Sequence, residues 1–228
     1  MSVQMLTTAQ LRSAPAVLPV VVVIDVLRAF TTAAVALDKG ADGVVLAGSP
    51  DEALRVRRNL PDALVVKDGA PEPGFDGVNS PVLLGRLDVG GRPVVLSTSC
   101  GTVGALAAEA SDVLLCASFV VAGGTASYLQ TLGRAVTFVI TGDDGQASED
   151  QACARYIAEL LDDRDVDPEP YLYAAAQSGA AARLLRGVKL GYRGVHHDDV
   201  SRCLQLDRFP FAMLGRREEH GLVLRAVS

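Results

Sequence analysis

Residues 21–32 read VVVIDVLRAFTT. With Val20, five β-branched residues run straight into Asp25; Arg28 follows three positions later, then Thr31 and Thr32. A run of that kind suits a strand buried on both faces, and such strands belong to parallel sheets covered by helices on each side. In open sheets of this class ligands bind beyond the carboxyl ends of the strands. The stretch therefore predicts a central strand that hands a carboxylate, a guanidinium and two hydroxyls to a strand-end site.

The rest of the chain supports the sheet. Strand-like segments at 43–47, 63–67, 93–97, 113–117 and 136–141 alternate with helix-like segments at 32–39, 50–59, 102–110, 124–132 and 148–161. Ser49 and Pro50 form a good helix start, and Gly40 a good helix stop. Alternation of this kind predicts an α/β fold, a largely parallel sheet flanked by helices. The pattern changes near LDDRDVDPEP (161–170). An Ala-rich helix over 171–186 is expected next, then a short helix and terminal strands: a smaller C-terminal subdomain, or a flap returning to the main sheet. This divides the chain into a main α/β domain, 1–165, and a C-terminal part, 166–228.

Bulk properties narrow the function. The 228 residues carry a formal net charge of −6, with no Lys/Arg block. Nucleic acid as a main partner is disfavoured, because counterion-releasing contacts need a basic face, and with no Trp there is little for bases to stack on. No apolar run approaches the roughly 18 residues of a membrane helix, and the first residues lack a secretion-signal pattern. A soluble cytoplasmic protein, free to form a homo-oligomer, is expected. The four cysteines are widely spaced, without a CxxC pair, so reduced thiols are expected and not a zinc site.

The residues directly after the strands fall into four polar clusters: Asp25, Arg28, Thr31 and Thr32; then Thr98, Ser99, Cys100, Gly101 and Thr102; then Ser118; then GDDGQASED (142–150). Thr98–Thr102 has the makings of an anion cradle, with small residues, a glycine and the amides of a following helix; it equally suits a plain capping turn. Asp143, Asp144, Glu149 and Asp150 suit magnesium, which takes carboxylate oxygens; they equally suit a solvated first helical turn. Asp25 is a candidate ligand, or else a cap or a partner for Arg28. A P-loop, a GxSxG elbow and HExxH are absent, and Leu106 stands where a cysteine phosphatase based on Cys100 would need arginine. The run His196, His197, Asp198, Asp199 looks metal-like, but adjacent residues seldom converge on one ion, and a surface or hinge role is expected.

These segments resemble the magnesium-dependent 2-phosphosulfolactate phosphatases over about residues 20 to 210. IDVLRAFTTAAVAL is similar to that family's first block, GFDGVNSP (74–81) to its G-F-D-x-G-N-S-P, and STSCGTVGAL to its T-T-x-N-G-T-x-A-L. SFVVAGGTASYL, GDDGQASEDQACARYI and DDVSRCLQLDRFPFAML resemble three further blocks in the same order. The resemblance implies hydrolysis of a phosphate monoester of a small 2-hydroxy acid, with Mg²⁺. It carries Asp25, Arg28, Asn79, Ser80, Gly101, Thr102, Glu149, Asp150 and Asp199 over as matching positions. Cys100 stands where members usually have Asn, and Val103 where they usually have Arg, so donors for a dianionic phosphate are lost.

The expectation is then a magnesium phosphohydrolase acting on a small anionic substrate. Asp25, Glu149 and Asp150 hold the metal, and Arg28 grips phosphate. Thr31, Thr32, Asn79, Ser80, Thr98, Ser99, Gly101, Thr102 and Ser118 contact substrate. Two rivals stand beside it: a non-hydrolytic small-anion binding protein, and a hydrolase of altered substrate using Cys100 as nucleophile, its pKa lowered at a helix start.

Overall fold

Val20–Ile24 is buried at every residue, as its composition requires, because it is hydrogen-bonded on both edges and covered on both faces. The computed structural model describes residues 1–13, 17–162 and 165–228. Its strands are β1 (Val3–Thr7), β2 (Val20–Ile24), β3 (Val44–Ala47), β4 (Leu64–Lys67), β5 (Gly77–Val78), β6 (Val94–Ser97), β7 (Val113–Ala117), β8 (Val136–Ile140), β9 (Ala212–Glu218) and β10 (Gly221–Val227). They form one mixed sheet in the order β1-β8-β2-β7-β9-β10-β3-β6-β4-β5.

The sheet consists of two parallel blocks, β1-β8-β2-β7 and β3-β6-β4-β5, joined by the antiparallel hairpin β9–β10. Each side of the hairpin pairs antiparallel with its neighbour, so the two blocks run in opposite senses. Their carboxyl ends nevertheless meet. Twist accumulates at about 20–25° per strand, and five steps separate β2 from β6. The helices Ala29–Asp38 and Gly101–Ala107 each touch strands of both blocks. The polar ends of β2 and β8 are thereby brought to face those of β4, β5 and β6.

The fold is the expected α/β arrangement, a large, mostly parallel sheet flanked by helices. The tail supplies two strands at the middle of that sheet, with Ala212, Met213 and Leu222–Leu224 buried there. The Ala-rich segment is two helices, Glu169–Ala176 and Gly179–Lys189, where one was expected. Ser178 breaks it by taking an extended conformation and accepting the Ala181 N–H as an N-cap. β1 and the short helix Thr8–Arg12 have no counterpart in the expected elements; β1 is an edge strand paired only with β8, and its mixed sequence VQMLT gives little period-two signal. Among the described residues no helix is long and apolar enough to cross a membrane.

Candidate active site

Where β2 ends, the chain turns at once into the helix Ala29–Asp38, and Asp25 sits in that turn. Its Oδ1 accepts the Ala29 N–H at 2.9 Å, and the Gly101 N–H donates to the same carboxylate from the start of the facing helix. Amides from two helix starts thus converge on this side chain, which is only 7% exposed. Burial outweighs them and raises its pKa to about 7, with the negative charges of Asp68 and Glu149 pushing the same way. The approach is close enough to require glycine at 101. A Cβ there would lie 2.6 Å from Asp25 Oδ2 and 2.7 Å from the Ala29 Cβ. The Leu27–Arg28 peptide bond is cis.

Glu149 and Asp150 begin the helix Ser148–Leu160 just beyond β8. They are not the solvated first turn their position allows: they are 4% and 2% exposed. Asp150 accepts the Val26 N–H at 2.8 Å through Oδ1 and the Gly142 N–H at 3.3 Å through Oδ2, which pins the helix start to the end of β2. Burial, then Asp25 and Glu149, push its pKa well up. Glu149 is raised too, by burial first and by Asp143, against a hydrogen bond from Ser178 and the charge of Arg183. Glu149 Oε2 is buried with no hydrogen-bond partner.

The second block contributes Asp68, directly after β4. Its Oδ1 accepts the Asn79 amide at 2.9 Å, and its Oδ2 accepts the Ser99 N–H and Oγ–H at 2.9 and 3.1 Å. One carboxylate thus ties the ends of three strands together. Asn79 Oδ1 is buried and lacks a partner, as Glu149 Oε2 does.

Arg28 does not pair with Asp25. Its Nη1 donates to Asp199 at 2.6 Å and its Nη2 to the Gly194 carbonyl at 3.0 Å. Asp199 is fully buried and also accepts the Ser80 Oγ–H at 2.6 Å and the His196 N–H at 2.9 Å. The last residue of the HHDD run is therefore no surface residue, because strand-end and loop groups claim its carboxylate.

These groups surround one pocket of about 170 Å³, lined by Asp25, Arg28, Asp68, Asn79, Ser99, Cys100, Asp143, Glu149, Asp150 and Arg183, among others. Of the residues expected at a site, Asp25, Arg28, Asn79, Ser99, Cys100, Glu149 and Asp150 are brought together here. Thr31, Thr32, Ser80, Thr98, Thr102 and Ser118 do not line it. Thr98 and Thr102 bond to one another's backbone across the first turn of the helix Gly101–Ala107. Thr31 bonds to the Val26 carbonyl and Ser118, and Ser80 caps the helix Pro81–Leu84 while holding Asp199. Thr32 Oγ1 is buried without a partner, away from the pocket. Gly101 acts through its amide on Asp25.

Asp68 and Arg183 line the pocket although no sequence motif points to them. The strand-end rule reaches Asp68, since it comes immediately after β4; Arg183 lies inside an Ala-rich helix with no motif around it. Asp143 binds Arg183 at 3.0 Å. His196, His197 and Asp198 present ligand atoms within 4.8 Å of one another, outside this pocket.

A helix-start position predicts a lowered Cys100 pKa; the structure reverses it. Burial raises the thiol, and Asp25, Asp68 and Asp150 add to the rise against a hydrogen bond from Ser99. A half-buried thiol facing carboxylates is a poor thiolate. Iodoacetamide at neutral pH is expected to leave Cys100 largely unmodified over the time that alkylates free cysteine, read by mass spectrometry. Rapid, selective alkylation would restore it as a nucleophile.

Five carboxyl groups against two guanidiniums, with two buried acceptor oxygens lacking donors, leave the pocket short of positive charge. Carboxylate and amide oxygens are the donor set of a hard divalent cation. Comparison with known proteins bears on what such a site serves. A family model described as 2-phosphosulpholactate phosphatase matches residues 5–217, a span that includes every pocket residue. A probable 2-phosphosulfolactate phosphatase of Carboxydothermus hydrogenoformans is 32% identical over 220 residues, 90% of each chain. One from Symbiobacterium thermophilum is 36% identical over 202 residues, 82% of this chain and 87% of that protein. One from Deinococcus radiodurans is 39% identical over 147 residues, 62% of this chain and 61% of that protein. With the match running from β1 into β9 and enclosing the whole acidic pocket, this chain belongs to the 2-phosphosulfolactate phosphatase family.

Proposed function

We propose that this protein is a magnesium-dependent phosphatase that hydrolyses a phosphate monoester of a small 2-hydroxy acid, of the 2-phosphosulfolactate kind. The observation that carries the reading is the buried carboxyl cluster with Glu149 Oε2 left without a partner. Buried carboxylates are costly unless paired or metal-bound, and these three, Asp25, Glu149 and Asp150, have no cation of the chain bonded to them among the described residues. They would hold Mg²⁺, which when bound supplies charge neutralisation and polarisation of a phosphoryl oxygen.

The chain's own residues do the rest. Arg28 lines the pocket with two of its five N–H donors engaged, leaving others for an anionic oxygen in an orientation fixed by Asp199. Arg183, at the rim, is bonded to the exposed Asp143 and, among the described residues, to no other carboxylate, and can turn to a second anionic group on the substrate. Asn79 presents a free Oδ1 to a hydroxyl. Asp68 holds Asn79 and Ser99 in place. A pocket of about 170 Å³ is below the roughly 300–1,000 Å³ of sites for drug-sized ligands, which favours a small acid over a nucleotide. The four cysteines are free thiols, in keeping with a reducing, cytoplasmic setting.

The test is phosphate release from 2-phosphosulfolactate by purified protein with magnesium or with chelator. Release only with magnesium is expected. Undiminished release in chelator removes the metal from the reading. Tight binding of the ester without turnover in magnesium would favour the anion-binding alternative.

A further inference from the structure

A second cavity, of about 470 Å³, shares no residue with the acidic pocket and has the opposite charge. It lies where the end of the helix Ala29–Asp38, the helix Pro81–Leu84 and the helix Asp199–Cys203 meet. Its ionisable lining is Lys39, Arg86, Arg202 and Arg208 against Asp38 and Asp198. Four cations against two acids leave two positive charges.

Among the described residues the arginines here carry no carboxylate bond, whereas six others in the chain do. Arg28, Arg57, Arg134, Arg183, Arg217 and Arg225 each meet a carboxylate. Among the described residues Arg86, Arg202 and Arg208 meet none. Arg86 faces the His196 ring at 2.9 Å. Arg202 and Arg208 both donate to one neutral oxygen, Gln205 Oε1, each at 3.2 Å. Two guanidiniums directed at a single amide oxygen repel one another, and an anion between them relieves that repulsion. The guanidinium fork matches phosphate oxygens two at a time, and a dianion matches the excess of two charges.

We propose that this cavity is a second anion site, taking the phosphate group of a small phosphorylated molecule on Arg86, Arg202 and Arg208. It is separate from the hydrolytic pocket and does not depend on magnesium. The helix Pro81–Leu84 stands between the two: Arg86 lies just past its carboxyl end, while its cap Ser80 and the adjoining Asn79 serve the acidic side.

The test is calorimetric titration of the full chain with inorganic phosphate in chelator, with sodium chloride at matched ionic strength as control. Chelator keeps the outcome independent of the metal reading of the first pocket. Saturable binding of one phosphate per chain is expected, weakened at least tenfold in R202Q/R208Q and in R86Q. Should the double variant lose its circular dichroism signal, R86Q, the change of an exposed residue on the cavity lining, decides alone. Affinity unchanged in these variants overturns the proposal. So does an absence of saturation up to tens of millimolar phosphate, equal displacement by chloride, or binding of an acidic peptide where phosphate fails.

Discussion

Asp25→Asn is expected to abolish magnesium-dependent phosphate release, by about a thousandfold or more, equivalent to roughly 4 kcal/mol of barrier, while making the metal-free protein more stable at pH 8. The stability gain comes from the raised pKa. Unfolded, Asp25 titrates near its ordinary value of about 3.9; folded, it titrates at about 7. Between those values the native state holds a proton that the unfolded state has released, so stability falls as pH rises through the interval. Above pH 7 the full penalty is present. Asparagine keeps one acceptor for the Ala29 and Gly101 amides and carries no charge, so the penalty disappears. For a chain of this size each kcal/mol moves Tm by about 2–4 °C, and a rise of several degrees is expected at pH 8, with little change at pH 4. Magnesium should stabilise the wild type more at pH 8 than at pH 5, because the cation competes with the protons of the cluster. Thermal unfolding at the three pH values, with and without magnesium, reads all of this. A variant that retains release, or one less stable than wild type in chelator at pH 8, would remove Asp25 from the metal-binding role.

The elements legible in the sequence are those whose signals are local. A β-branched run ending in a carboxylate marks β2 and Asp25, and the acids opening a long helix mark Glu149 and Asp150; all three reach the same pocket. The illegible features depend on distant partners. Nothing in LDKGADGVVLA or its neighbours shows that β3 and β2 run in opposite senses, because that is decided by a hairpin more than 160 residues later in the chain. The hydroxyls mislead for a related reason. Thr98, Thr102 and Ser80 stand at helix starts beside the site, and buried hydroxyls there are first claimed by their own backbone. The same residues would compose an anion cradle or a cap, and only coordinates distinguish them. Asp68 is readable, since it comes directly after its strand as Asp25 does, but the glycine beside it makes KDGA look like an ordinary turn. Arg183 carries no signal: it is one polar residue in an Ala-rich helix, brought to the pocket by the packing of that helix against the loop after β8.

Asp199→Asn should be the most destabilising conservative change in the molecule. The carboxylate is fully buried, and both of its oxygens are shared. Oδ2 accepts from Arg28 and the His196 N–H, and Oδ1 from Ser80 and the Val82 N–H. An amide in its place turns an N–H₂ group toward one of these donor pairs and leaves the Arg28 guanidinium buried without a counter-charge. Breaking a buried ion pair on one side costs about 3–5 kcal/mol, whereas replacing both partners with apolar groups of similar volume is often near neutral. Asp199 also serves the Ser80, His196 and Val82 donors, so its removal is costly even without Arg28; the double variant R28M/D199L is expected to lose less than the sum of R28M and D199L, a coupling that a merely space-filling aspartate would not produce. Function should separate from stability in the same set. D199N and R28M/D199L both lose release, since Arg28 lines the pocket and is oriented by Asp199, while the coupling between the two positions is read only in the urea midpoints. Urea titration of wild type, R28M, D199L, D199N and the double variant, with phosphate release measured at a concentration of denaturant well below every midpoint, makes the comparison. A D199N protein within about 1 kcal/mol of wild type, or a double variant whose loss equals the sum of the single ones, would mean that Arg28 is held by the surrounding loop and not by this carboxylate.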